Sequence, residues 1–353
     1  MTKNYYHSFN YSKTGSYPFM PAKNPLLMPT VINSHLANVY PALSMMAGMQ
    51  LEIFTAIGHS GITIDATAKK LNVQPLKLRP LLYALVSANL LTVEEPLFYN
   101  TAEANEFLVK GKKRYIGSMH SAYSDLWSAT MHTADSIRQG SPIAEHNFSK
   151  MTHDELRSFV TGLDAGASAS ARRLHKEFDM NRFQTLLDAG GGSGGLAIAL
   201  SKLCPKIKIT VGELGNVAPI TKECIESEGL GEIIRAIEID LTSYQPSSSF
   251  DAIVLRSVLQ VMSPEDARST MQNATKALNP NGEIFMLGRM LDDSRLSPTE
   301  AVAVNVMFLN VYPSGQAYTE SEYRSFFLEA GLENIQRKQI SGGYSILHAN
   351  KKG

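Results

Sequence analysis

The feature that most constrains this chain is the run Leu186-Leu187-Asp188-Ala189-Gly190-Gly191-Gly192-Ser193-Gly194-Gly195, followed by an apolar, helix-length stretch over residues 196–203. An apolar run ending in an acid, then glycine, then an apolar helix is the pattern of a strand, a tight turn and a helix. Glycine lets the backbone turn sharply and lets a ligand approach the main chain. The helix that follows points its free N–H groups at the same spot. Such a loop is shared by several nucleotide-binding folds, so its surroundings decide what it holds.

Two further acids narrow the choice. Glu213 closes the next strand-like run, 25 positions after Asp188, where a carboxylate can take both hydroxyls of a ribose. Asp240, followed by Leu241, closes the third, where an acid can accept from an adenine amino group. NAD and S-adenosylmethionine both suit a site of this kind. NAD would bring a pyrophosphate that Asp188 repels, whereas the ammonium of S-adenosylmethionine is drawn to an anionic neighbourhood.

From residue 183 onward, strand-like and helical runs alternate, with strands expected at 185–189, 207–212, 234–239, 252–255 and 283–287. That alternation predicts an open, mostly parallel α/β sheet with helices on both faces. The first half reads differently. Pro18, Pro21, Pro25 and Pro29 predict an extended arm over residues 1–30. Val39, Leu43, Met46, Met49 and Ile53 recur at helical spacing and predict one helix over 31–57. Residues 62–99 read as helix, turn, helix and hairpin, the layout of a winged helix. Its second helix carries only Lys77 and Arg79 as cations, too few for reading a groove in DNA. Met119, Tyr123, Trp127 and Met131 share a four-residue spacing, as core or as a pocket wall. The small-residue stretch 162–171 suits close packing against a neighbour or a ligand. We expect three parts: the arm, a helical unit over 31–180, and an α/β unit over 181–353.

Composition sets outer bounds. Lys+Arg and Asp+Glu both number 33, so there is no basic surplus for general nucleic-acid binding. No apolar run approaches the ~18 residues of a membrane helix. Two cysteines, Cys204 and Cys224, make no disulfide framework and point to a reducing, cytoplasmic compartment.

The chain resembles the class I S-adenosylmethionine-dependent O-methyltransferases of the plant and hydroxyindole type. The resemblance rests on three blocks: residues 178–195 (FDMNRFQTLLDAGGGSGG), 251–267 (DAIVLRSVLQVMSPEDA) and 315–331 (GQAYTESEYRSFFLEAG). It implies a Rossmann-like C-terminal domain, an N-terminal winged-helix domain that forms a homodimer, S-adenosylmethionine as methyl donor with S-adenosylhomocysteine as product, and no metal. It implies that Asp188, Gly190, Gly192, Glu213, Leu214, Asp240, Leu241 and Arg256 line the cofactor, with Phe159 and Leu163 covering it. Helix phase and family position make Met119, Tyr123, Trp127, Met131, Met262, Met307, Phe308, Asn310 and Tyr312 candidates for the acceptor pocket. Arg289 is a candidate to hold a carboxylate-bearing acceptor.

The departure from the family is informative. Where the family carries a general-base histidine, this chain has Gln260 in Leu259-Gln260-Val261-Met262, and the position of a supporting glutamate is Ala317. A phenol, with pKa near ~10, gains from a base when it is methylated; a thioether sulfur has no proton to lose. We therefore expect a base-free methyl transfer, with thioether S-methylation favoured, as in members of this broad family that act on 4-methylthio-2-hydroxybutyrate. Three other readings stay open: O-methylation with His120, His132 or His146 as base, a protein that binds the cofactor without transferring methyl, and a cofactor-sensing winged-helix regulator.

Overall fold

The computed structural model describes residues 27–340 and 342–353. Most of the expected arm, including its aromatic stretch from Tyr5 to Phe19, lies outside the described residues.

The first half is helical. It runs α1 (Thr30–Gln50), α2 (Ile53–Ile57), α3 (Ile64–Leu71) and α4 (Pro75–Ser87), then the hairpin β1 (Leu91–Glu94) and β2 (Leu97–Asn100). Five more helices follow: α5 (Ala102–Phe107), α6 (His120–Thr130), α7 (Thr133–Gln139), α8 (His153–Gly162) and α9 (Asp164–Glu177). Local chemistry sets several boundaries. Thr63 caps α3 by accepting from the Ala66 N–H, and Asn72 ends it in the left-handed conformation. Thr152 and Glu155 form a reciprocal capping box at the start of α8.

The single helix expected over 31–57 is two. Glu52 turns into the left-handed region at φ 57°, and the chain bends there. No glycine or proline marks the break, so apolar periodicity runs straight through it. The bend seats Ile53, Phe54 and Ile57 in the core of this half. Gly48 permits it: a Cβ there would come 3.0 Å from the Phe54 ring.

The second half alternates strand and helix: β3 (Thr185–Ala189), α10 (Gly195–Leu203), β4 (Lys208–Glu213), α11 (Ala218–Ser227), β5 (Ile234–Glu238), β6 (Phe250–Arg256), α12 (Pro264–Lys276) and β7 (Leu278–Arg289). It closes with α13 (Thr299–Val311), α14 (Glu320–Glu329), β8 (Leu332–Gln339) and β9 (Tyr344–Lys351). The seven-stranded sheet has the order β5-β4-β3-β6-β7-β9-β8. Strands β3 to β7 are mutually parallel, while β9 runs antiparallel to β7 and to β8. Expected strands match to within a few residues, except that β7 begins earlier and the β8–β9 pair was not foreseen.

Alternation along the strands splits the core. Leu186, Val254 and Phe285 pack on α9 and α10, while Leu187, Ile253 and Met286 pack on α12 and α14. The strand order reverses between β3 and β6, which opens a crevice at their carboxyl ends. No helix of the described residues is long and apolar enough to cross a membrane. Cys204 and Cys224 are both buried and free.

Candidate functional site

A cavity of about 480 Å³ occupies that crevice. The sheet's carboxyl edge forms its floor, and α6, α8, α9 and α13 form its walls.

One end is acidic. Asp188 ends β3 beneath the glycine loop and is 1% exposed. No hydrogen bond of ordinary geometry reaches either carboxylate oxygen. Burial pushes its carboxyl up to about 7, against the pull of the Arg256 guanidinium. The loop is shaped around it: a Cβ on Gly191 would come 2.7 Å from Asp188 Oδ2. At Gly192, with φ +61°, an added Cβ would meet only Val160, in ordinary contact at 3.9 Å, so the left-handed backbone and not crowding calls for glycine there. Asp164, at the start of α9, accepts from Ser193 Oγ–H, and burial raises its carboxyl to about 6. Glu213 accepts from the Gly192 N–H at 2.7 Å and the Leu214 N–H at 2.9 Å, and burial raises it as well. Two of its roughly four lone-pair sites stay open. Asp240 uses Oδ1 twice within its own turn, on the Thr242 N–H and hydroxyl.

A buried, unpartnered carboxylate behind a glycine loop that lines the cavity is suited to a cation, and the next strand offers Glu213 for a diol. The donor set thus fits S-adenosylmethionine, whose ammonium and ribose need those two features. It fits NAD poorly, because a pyrophosphate would meet Asp188. Among the described residues, no group of three or more metal-ligating side chains comes together.

The other end is cationic and aromatic. Arg256 ends β6, and Arg289 ends β7. Neither forms a salt bridge among the described residues. Gln260 sits in the turn after β6 and is 6% exposed; its Oε1 accepts from the Arg289 backbone N–H at 2.9 Å. Burial raises the phenol of Tyr123, and Tyr312 is raised more strongly for the same reason. Trp127, Met262, Met307 and Phe308 complete the apolar wall.

The cavity brings together most of the residues singled out from the sequence. Gly190, Gly192, Glu213, Leu214, Asp240, Leu241, Arg256, Phe159 and Leu163 all line it, with Asp188 directly behind the loop. Tyr123, Trp127, Gln260, Met262, Arg289, Met307, Phe308 and Tyr312 line it too. Besides Asp188, which is sealed behind the loop, three candidates fall outside the lining. Asn310 is fully buried on the far side of α13, where it bonds Ser136 and Thr133. Met119 precedes α6 and does not reach the lining, and Met131 ends that helix 85% exposed. A straight four-residue stripe drifts around a helix of 3.6 residues per turn, so only its centre faces the cavity.

None of the described lining residues is a histidine. His146 is buried behind Phe159 and Tyr312, with ring centroids 5.0 and 5.9 Å away. Burial lowers its pKa, and its Nε2 lies 2.7 Å from Asp125 Oδ2 but out of line for a hydrogen bond. The lining residues that sequence reasoning missed include Asp164, Ser193, Ser257 and Tyr344. Asp164 stands inside the small-residue stretch and Ser193 inside the glycine run, so both were within reach of the sequence. Tyr344 enters only because β9 pairs with β7 and sets it opposite Arg289.

The chain matches the family model for the O-methyltransferase domain over residues 132–333, more than half its length. It is 24% identical over 315 residues to 3-hydroxy-5-methyl-1-naphthoate 3-O-methyltransferase of Streptomyces sahachiroi, covering 87% of this chain and 90% of that one. It is 25% identical to the acetylserotonin O-methyltransferase of Mus musculus, covering 88% and 85%. The fold is similar to that of human N-acetylserotonin methyltransferase solved with S-adenosylmethionine, with a TM-score of 0.81, 22% identity, and coverage of 95% and 100%. With a glycine loop, acid cluster and crevice that fit S-adenosylmethionine, the chain belongs to the O-methyltransferase domain family and is a methyltransferase.

Proposed function

We propose that this enzyme methylates a small molecule at an atom that has no proton to lose, a thioether sulfur above all. The observation that carries this reading is the lining. Gln260 stands at the family's base position, and none of the described residues facing the cavity is a histidine. An amide accepts no proton at ordinary pH, and here Oε1 is already held by the Arg289 N–H.

In this reading Asp188 and Asp164 draw the donor's ammonium, Glu213 takes its ribose hydroxyls and Asp240 its adenine amino group. Leu214, Leu241, Phe159 and Leu163 cover its apolar faces, and Arg256 balances the acid cluster. S-adenosylmethionine, when bound, supplies an electrophilic methyl on a sulfonium. The acceptor's lone pair would take that methyl as the donor's sulfur–methyl bond breaks, leaving neutral S-adenosylhomocysteine and a new sulfonium on a thioether acceptor, with no proton released. Trp127, Met262, Met307, Phe308 and Tyr312 exclude water and present polarisable faces that tolerate positive charge. Alignment of the two reactants then supplies much of the rate, up to ~7–11 kcal/mol.

The relatives named above carry O-methyltransferase names, which supports a second reading: an oxygen acceptor that ionises without help. The two separate in one assay. Purified protein is incubated with S-adenosylmethionine and a panel of thioethers, thiols and phenols, and S-adenosylhomocysteine is measured. Release with thioethers alone is expected. Release with phenols and none with thioethers overturns the proposal. Gln260→His is expected to add phenol turnover; a variant that binds cofactor and gains none shows that the base position is misplaced.

We also propose that the helical unit over 31–180 joins two copies of the chain. The outer face of α1 supports this: Leu36 is 66% and Tyr40 67% exposed, beside the exposed side chains of Ile32, Val39 and Leu43.

A further inference from the structure

The two cations of the cavity are not equivalent. Arg256 leans toward the acid cluster. Its Nε–H donates to Ser170 Oγ at 3.0 Å, and its Nη2 sits so close to α9 that a Cβ on Gly166 would come within 2.7 Å. Its charge pulls on both Asp164 and Asp188. Arg289 has no acid to answer. Its guanidinium lies over the Tyr344 ring, 4.5 Å from the centroid, and its Nη1 donates to the Gly342 carbonyl. A guanidinium has five N–H donors, so most of this one's are uncommitted among the described residues.

The polar groups around it are uncharged hydroxyls and an amide, each able to donate a hydrogen bond. The Tyr344 hydroxyl lies 3.4 Å from Ser257 Oγ. Tyr123 comes in from α6, close enough for the Arg289 charge to act on its phenol. Gln260 is held with Oε1 on the Arg289 main chain, which leaves its donor-only Nε2 as the free end of the amide. Gly288 makes room for this, since a Cβ there would come 3.0 Å from that oxygen. A partly buried cation flanked by hydroxyls and an amide, with no acidic partner among the described residues, is suited to an anion. A planar carboxylate is the anion that best matches a guanidinium fork.

We propose that this corner is a carboxylate subsite of the acceptor pocket. Arg289 grips the carboxylate, Gln260 Nε2 and the Ser257 and Tyr344 hydroxyls flank it, and the methyl acceptor is therefore a small organic acid. The inference rests on the cavity being the acceptor pocket, but not on which atom takes the methyl.

The test uses the full chain loaded with S-adenosylhomocysteine and two matched pairs of probes. One pair is 4-(methylthio)butanoate and its carboxamide; the other is 4-hydroxybenzoate and 4-hydroxybenzamide. Affinity is read by calorimetry, and for the thioether pair also by fluorescence of Trp127, the chain's one tryptophan, which lines the cavity. The wild type is expected to bind at least one acid about 10- to 100-fold more tightly than its amide, the range for a charge-assisted hydrogen bond. Arg289→Gln is expected to abolish that preference, and Arg289→Lys to keep part of it, with S-adenosylhomocysteine affinity held in both. Equal affinity for acid and amide in both wild-type pairs overturns the proposal, whether or not the variants fold. So does an Arg289→Lys protein that loses S-adenosylhomocysteine affinity, because it assigns the arginine to the cofactor. An acid preference confined to the phenol pair upholds the carboxylate subsite while counting against the thioether reading. Thioether turnover with no acid preference does the reverse.

Discussion

Asp188 is placed where its own ionisation is costly. Burial holds its carboxyl up at about 7, against an unfolded value of about 3.9. A raised folded pKa means the unfolded chain gives up the proton first, so the penalty on the ligand-free fold builds from about pH 4 and is complete above about pH 7. A bound ammonium stabilises the ionised form and offsets it. Asp188→Asn is therefore expected to raise the melting temperature of the ligand-free protein at pH 8, with the gain shrinking as pH falls toward 4. The same variant is expected to lose most of its affinity for S-adenosylhomocysteine. Thermal melts at three pH values and a calorimetric titration check both. A variant no more stable than wild type at pH 8 would contradict the buried, unpartnered carboxylate.

At the scale of elements, the far edge of the sheet is held by a polar cluster in an aromatic setting. Glu283 on β7 bonds Arg182 and the β9 residue His348, whose ring stacks on Phe285 at 4.8 Å. Burial alone would raise the Glu283 carboxyl, but hydrogen bonds from His348 and Arg182 overcome it and hold it at about 2. This contribution is present above the unfolded pKa of about 4.3 and is lost as pH falls toward 2. Glu283→Gln leaves Arg182 and His348 without their anion. Breaking a fully buried pair costs ~3–5 kcal/mol; Arg182 is 42% exposed, so a smaller loss is expected here. Urea melts at pH 7 measure it, and an unchanged midpoint would show that the cluster is dispensable. Because the cluster lies at the opposite edge from the cavity, cofactor affinity is expected to stay constant.

For the whole molecule, the main exposed apolar face is that of α1. The inner end of this helix, Met46 and Met49, is buried within its own chain, while Val31, Leu36, Val39 and Leu43 stay exposed. Burial of apolar surface is worth ~25 cal/mol per Å², which a second copy can supply. A homodimer of twice 38.7 kDa is expected by light scattering. The double variant Leu36→Glu, Leu43→Glu is expected to give the single-chain mass with unchanged helix content. A wild-type chain that stays monomeric at micromolar concentration would refute the dimer.

The sequence by itself determined the α/β class, the glycine loop and its acids, the parallel strands and the glutamine at position 260. These are local signals: a period of two, a left-handed glycine, a carboxylate at a strand end. They are written within a few residues of where they act. Tertiary structure alone decided the rest. The bend at Glu52 answers to packing of Phe54 against Gly48, and nothing at Glu52 itself announces it. Asn310 has the phase of a pocket residue, yet it faces Ser136 because α13 packs on α7. Tyr344 joins Arg289 through a cross-strand register, a pairing 55 residues apart that no local pattern encodes. The sequence placed a cation near the crevice; only the fold separated Arg256, balanced by acids, from Arg289, left to meet an anion.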